Sequence, residues 1–428
     1  MHWTPTAREA TAALAAFVPS AGRRYAGERN YDRGPQDRHN VSRLSPWLRH
    51  RLLLEEQVIA ATLEQHDLAG AEKFVQEVFW RTYFKGWLEQ RPAIWSRYLD
   101  DLSVQAQRVD DDRALRERYV QALAARTGID CFDAWMRELR DYGYLHNHAR
   151  MWFASIWIFT LQLPWQLGAD VFYHHLLDAD PASNTLSWRW VAGLHTRGKH
   201  YLARPDNIAR YTDGRFDPGQ SLNTQACALE EDDPLPPPSP IAPADPAPDR
   251  GRYGLLISAE DCHPESWPLR HPPVALASLA MPDRAAAERA DTDEDAPAAA
   301  RRAPQRDARA IAFADAALRD AMDRMQQRLP DVAQTVMAFD ADSAAWPPAL
   351  TQWARDHALA AIVTAWPPVG PTATAVTLAE PALKREGIAL IRLRRDYDSL
   401  AWPHAKKGFF GLKKKIPTVL RELGIGTG

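Results

Sequence analysis

Apolar residues recur at three- and four-residue spacing through 52–63, 71–88, 114–125, 132–139 and 151–161, the periodicity of helices that bury one face. No alternating, period-two run interrupts them, so residues 1–225 read as an all-helical domain. The pattern stops at EEDDPLPPPSPIAPADPAPDRG (230–251), where acids and prolines favour an extended, semi-stiff linker over packed structure. Beyond it, short apolar runs at 253–258 (YGLLIS), 273–279, 335–339, 360–366 and 387–393 alternate with helical patterns at 308–329, 347–357 and 372–385. Strand–helix alternation of this kind predicts a parallel sheet covered by helices. The expected fold is therefore a helical domain (1–225), a linker (226–251) and a Rossmann-like five-stranded α/β domain (252–428). The Ala-, Arg- and acid-rich stretch 283–307 is expected to be a mobile loop. No GxGxxG or GxxxxGK[ST] follows any expected strand.

Composition narrows the picture. The 428 residues are 46% hydrophobic and 25% charged, enough to build cores without staples. Three scattered cysteines (Cys131, Cys227, Cys262) make neither a disulfide framework nor a CxxC zinc site, and point to a reduced, cytoplasmic setting. The longest apolar stretch, 151–163, is broken by Ser155 and Gln162 and is too short to span a bilayer. The first residues lack the basic leader and apolar core of a signal peptide. A net charge of −3 means that any anionic partner is held by a local patch. The 16 tryptophans, most of them between Trp47 and Trp190, suit a bulky core, stacking on a planar ligand, or electron transfer.

Four constellations carry candidate chemistry. In Tyr25…Arg29…Ser42-Arg43-Leu44-Ser45-Pro46, Ser45 and Pro46 read as a helix start with a capping hydroxyl, which is either a plain cap or an anion site. Glu77, Trp80, Arg81 and Phe84 share one helix face, as either a core stripe with an i,i+4 ion pair or a functional wall. Asn147, Arg150 and Met151 form a second such face, or simply a polar helix start. Asp178 and Asp180, two residues apart, suit a metal or the hydrogen-bonding edge of a ribose and heterocycle; no histidine or further acid completes a metal site locally, so none is expected. Trp188 and Trp190 follow and point in different directions.

Together, YAGERN, SRLSP, EVFWRTYF, RTGIDCFDAWMREL, YGYLHNHARM, PWQLG and LLDADPASNTLSWRW resemble, in order and spacing, the FAD-binding domain of DNA photolyases and cryptochromes. The resemblance covers nearly all of residues 20–220. In that family the α/β domain comes first; here it follows, and RDYDSLAWPHAKKGFFGLKKKIP looks like the segment after its last strand, so the chain looks circularly permuted.

The resemblance implies FAD as cofactor and light-driven repair of cyclobutane pyrimidine dimers in ultraviolet-damaged DNA, by electron donation from reduced flavin to a flipped-out lesion. Carried over by position, Tyr25, Ser42, Arg43, Leu44 and Ser45 hold the phosphates and nearby cofactor backbone, and Arg81 lies beneath the access cavity. Arg150, Asp178 and Asp180 meet the adenine, ribityl or isoalloxazine groups, and Asn184 faces flavin N5. Glu77 and Asn147 hydrogen-bond the pyrimidine edges, Trp80 and Trp190 form the aromatic walls, and Met151 fills the floor. Arg29 and Arg215 meet DNA phosphates. Trp188 and Trp165 match two members of an electron relay whose third has no tryptophan near 108–113; Trp95, Trp152 and Trp157 are substitutes. An amide at Asn184 is the photolyase choice, whereas plant cryptochromes place aspartate there. Val41 and His148 depart from the family's usual threonine and arginine, and the residues that hold a folate antenna are missing. The alternative is a cryptochrome-like blue-light photoreceptor. A monomer is expected, with no membrane association.

Overall fold

The computed structural model describes residues 3–280, 306–338 and 345–426. The first part of the chain is helical: α1 (Ala7–Phe17), α2 (Arg23–Glu28), α3 (Ser45–Arg49), α4 (Glu55–Gln65), α5 (Glu72–Glu89), α6 (Ala93–Asp111), α7 (Arg113–Leu123), α8 (Asp130–Tyr142), α9 (Asn147–Ser155), α10 (Trp165–His175), α11 (Pro181–Ala192) and α12 (Pro205–Tyr211). Local chemistry starts and stops several of them. Asp112 caps α7 by accepting from the Leu115 N–H, and Asp180 caps α11 by accepting from the Ser183 N–H. Gly143 and Gly193 end α8 and α11 in the left-handed conformation. One π-turn, Ile156–Thr160, continues α9.

The second part is a parallel sheet of β1 (Tyr253–Ser258), β2 (Ala275–Ala280), β3 (Ala333–Ala338), β4 (Ala361–Ala365) and β5 (Ala389–Leu393), in the order β3-β2-β1-β4-β5. Central strands β1 and β4 are buried along their whole length, as strands covered on both faces must be. The helix Ala308–Arg328 covers the face toward the helical half, while Trp346–Asp356 and Pro371–Arg385 enclose a separate core on the other. The helical half, that helix and one side of the sheet share one continuous apolar cluster. Among the described residues no helix is long and apolar enough to cross a membrane.

The stretch 230–251 has no helix or strand, as a linker should, but it is fastened to both halves. The Ser239 N–H donates to the Gln90 carbonyl (2.9 Å) and Arg91 Nε to the Pro236 carbonyl (3.0 Å). At its far end the Arg392 N–H donates to the Asp245 carboxylate (2.8 Å), occupying hydrogen-bonding edge that β5 would otherwise expose. The helical run that continues α9 stops at Thr160, and Pro164 is the cap residue of α10. Of the stretch expected to be a mobile loop, 283–305 lies outside the described residues.

Candidate active site

The start of α11 organises the site. Asp180, Asn184 and Trp188 fall at successive four-residue steps along one stripe of that helix, all buried. Asp180 both caps the helix and pairs with Arg81 of α5 at 3.0 Å. Burial alone would raise its pKa, but Arg81, Lys85 and Arg49 outweigh burial and hold it at about 2. Just upstream, Asp178 takes a two-pronged ion pair from Arg150 of α9, at 3.0 and 2.8 Å. The Ser45 hydroxyl also donates to Asp178. That corrects the expected role of Ser45: Leu44 is the cap residue of α3, Ser45 is its first residue, and its hydroxyl serves the carboxylate across the bundle. Arg43 adopts a left-handed backbone (φ 53°) that turns the chain into α3, while its carbonyl accepts from Trp3 Nε1. The Ser42 hydroxyl accepts from the Leu44 N–H at 3.5 Å.

The Asn184 amide nitrogen donates to the Ala169 carbonyl (2.7 Å), so the side-chain oxygen is the end able to accept from a ligand. Trp188 is packed edge-on against Phe172 (5.0 Å) and Trp157 (6.3 Å). Gly168 permits this: a Cβ there would lie 2.3 Å from the Trp188 ring and 2.9 Å from Trp157 Nε1. Trp165 instead stacks on Tyr98 (5.7 Å), which contacts Trp95 (5.3 Å).

One turn before Arg81 on α5, Glu77 is ion-paired with Arg29, and Tyr25 shares that cluster through a hydrogen bond with Arg29. The plain Glu77–Arg81 pair is thus not formed; each takes a partner from another element. Burial pushes the Glu77 carboxyl up and Arg29 pulls it back only partly. Asn147 is exposed at the first turn of α9, where His146 provides the cap, and Met151 is half-buried one turn on. Trp190 is half-buried and stacks on Tyr201 (5.8 Å). Trp80 is half-buried and stacked face to face on Phe409 (3.9 Å), a contact from far down the chain. Arg215 reaches inward, to the buried Asp32 carboxylate (2.8 Å), which also receives Arg38 and Trp135 Nε1.

The family model for the FAD binding domain of DNA photolyase matches residues 74–221. Over that stretch the helical half is similar to the photolyase/cryptochrome family. A deoxyribodipyrimidine photo-lyase of Thermus thermophilus is 37% identical over 198 residues, covering 46% of this chain and 45% of the relative. One of Streptomyces griseus is 34% identical over 181 residues, covering 39% and 38%. The crystal structure of a bacterial class III photolyase from Agrobacterium tumefaciens superposes with a TM-score of 0.42 at 29% identity, covering 50% of this chain and 44% of that one. The chain spans less than half the length of these curated relatives.

FAD is the cofactor of this photolyase domain, and the residues present fit it. Ser183 Oγ, Trp188 Nε1 and Arg81 Nε are buried with no hydrogen bond among the described residues. Each such group costs about 1–3 kcal/mol if left so, which a polar ligand along the α11 stripe would relieve. Sequence reasoning missed Lys85, a fully buried lysine whose pKa burial and the neighbouring arginines lower to about 8. Its signal was available: it stands four residues after Arg81 as the one basic residue of an apolar run, YFKGW. The Asp32–Arg38–Glu138 cluster was also missed, because Glu138 stands 100 residues from Arg38 and no spacing records the contact.

Proposed function

We propose that this protein is an FAD-dependent enzyme that uses light to split cyclobutane pyrimidine dimers in ultraviolet-damaged DNA. The observation that carries the proposal is the Asp180–Asn184–Trp188 stripe, with Asn184 turned so that a neutral amide oxygen is its accepting end. Bound FAD, when reduced, supplies the electron that light drives into the lesion. Around it the chain's own groups bind and orient. Arg150, fixed by Asp178, offsets negative charge, and Asp180 accepts a hydrogen bond while Arg81 holds it in place. Asn184 accepts without adding charge. Glu77, whose carboxyl burial raises above its ordinary range, and exposed Asn147 hydrogen-bond the lesion, with Met151, Trp80 and Trp190 shaping its pocket. Trp188 supplies electrons to oxidised flavin.

The domain order is part of the proposal: a helical FAD domain (1–225), a linker (226–251) and the photolyase α/β domain (252–428), permuted relative to the family. The five-stranded parallel sheet placed after the helical half, and relatives that align with less than half of the chain, support it. One observation favours a second reading, as a blue-light photoreceptor: Trp80, the proposed lesion wall, is stacked by Phe409 of the C-terminal segment.

The deciding experiment photoreduces purified, flavin-loaded protein and measures loss of thymine dimers from an oligonucleotide under blue light. Repair that is light-dependent, and reduced in Glu77→Ala at unchanged flavin content, is expected. Photoreduction without dimer loss would reject the enzyme in favour of the receptor.

A further inference from the structure

Outside the proposed photochemistry, α10 ends on two histidines that meet the beginning of the helix Ala308–Arg328. His175 Nδ1 donates to Asp307 Oδ2 at 3.2 Å, and the Asp307 N–H donates to the His174 carbonyl at 2.9 Å. Arg306 fastens the same segment by donating to the carbonyls of Leu176 and Leu177 at 3.0 and 3.1 Å. One ligand-type atom from each of His174, His175 and Asp307 lies within 4.8 Å of the other two, and none of the three residues is exposed. We propose that His174, His175 and Asp307 bind a divalent transition metal of the zinc class, joining the helical half to the α/β half.

The donor set selects the metal. Two imidazoles and one carboxylate suit zinc and its first-row neighbours, whereas calcium and magnesium prefer oxygen alone. Bonds of 2.0–2.1 Å to a tetrahedral ion place neighbouring ligand atoms about 3.3 Å apart, and His175 and Asp307 already stand at 3.2 Å. Asp307 is aimed as a ligand must be. Its Oδ1 accepts from the Ala310 N–H (2.8 Å) as a helix cap, which turns Oδ2 toward the histidines. Three protein ligands leave a fourth position for water.

The test uses the untagged, full-length, flavin-loaded protein, stripped with chelator, repleted with zinc and passed through gel filtration. One retained zinc per chain is expected, with an intense visible band on cobalt substitution and a rise in melting temperature with zinc concentration. Asp307→Asn keeps a good helix cap but removes the charged ligand, and His175→Ala removes an imidazole; each should weaken zinc binding at least tenfold. Flavin content read in the same samples monitors folding, and Asp307→Asn decides if His175→Ala loses flavin. Cys227→Ser and His39→Ala, at an exposed thiol and an exposed imidazole elsewhere, should bind as wild type does. Failure of wild type to retain zinc, retention undiminished in Asp307→Asn, or loss in either control variant instead would overturn the site and leave an ordinary histidine–aspartate hydrogen bond.

Discussion

Trp188 is fully enclosed, and under the proposed photochemistry its neighbours set the route by which an electron would reach it. Trp157 stands 6.3 Å from it, held by a hydrogen bond from its Nε1 to the Pro164 carbonyl (2.9 Å) within the π-turn that follows α9, and Tyr119 lies 6.0 Å beyond. Trp165, the expected second member, belongs to a different stack with Tyr98 and Trp95. Trp188→Phe keeps an aromatic ring in the slot and loses only part of the indole, so fold and flavin should survive. Photoreduction of oxidised flavin by external thiol should slow at least tenfold in that variant, while chemically pre-reduced enzyme still repairs. Trp157→Phe should also slow it. Slowing by Trp165→Phe with wild-type rates in Trp157→Phe would place the route through Tyr98 instead.

Helix α5 does more than present the face that carries Glu77 and Arg81. Glu77, Arg81 and Lys85 descend it at four-residue steps: Glu77 pairs with Arg29, Arg81 with Asp180, and buried Lys85 feels the same Asp180 carboxylate. At its end Glu89 accepts from the Val369 N–H (2.7 Å) and Trp366 Nε1 (3.1 Å), tying the helix to the loop after β4. Burial pushes the Glu89 carboxyl up to about 7 against the pull of those hydrogen bonds. Since the folded pKa lies above the unfolded one, folding holds the proton longer, and this group's contribution is lost as pH rises from about 4.5 toward 7. Glu89→Gln cannot ionise. Its stability deficit relative to wild type, read by chemical denaturation, should be larger at pH 5 than at pH 8, narrowing by on the order of 2 kcal/mol. A deficit independent of pH would mean that Glu89 titrates as an ordinary carboxylate.

The two halves are joined through buried charge as well as apolar packing. Arg49 of α3 is paired twice with Glu260 just after β1 (2.6 and 2.8 Å), and its Nε donates to the Ala179 carbonyl beside Asp180 (2.9 Å). Arg51 meets Asp398 (2.5 Å) and Asp261 (3.3 Å), and Arg395 meets Asp261 again. Arg49 thus anchors both the α/β half and the start of α11. Glu260→Ala strands Arg49 in the interior, which costs about 3–5 kcal/mol. The variant should melt several degrees lower and release FAD at a lower temperature than wild type, followed by flavin fluorescence. Pairing Glu260→Leu with Arg49→Met should recover much of the loss, because a well-packed apolar pair need not be desolvated as charges. An unchanged melt in Glu260→Ala would show that the seam rests on apolar contacts alone.

Helical spacing in 71–88 and strand-length apolar runs such as YGLLIS were legible because each records a short-range repeat: a side chain's face follows from its neighbours three, four or two residues away. Three of the four motifs were legible for the same reason, since Glu77 with Arg81, Asn147 with Arg150, and Asp180 with Asn184 and Trp188 are set by position on one helix. Partner choice across helices was not. Arg81 could have taken Glu77 by spacing, and packing gave it Asp180. Ser45 could have capped its own helix, and the turn at Arg43 sent its hydroxyl to Asp178. Phe409 on Trp80, Arg49 with Glu260, and His175 with Asp307 join residues from 132 to 329 positions apart. No local repeat encodes such pairs; they exist because burying the apolar faces of both halves in one core brings distant polar groups out of water together, where each must find a partner or remain costly.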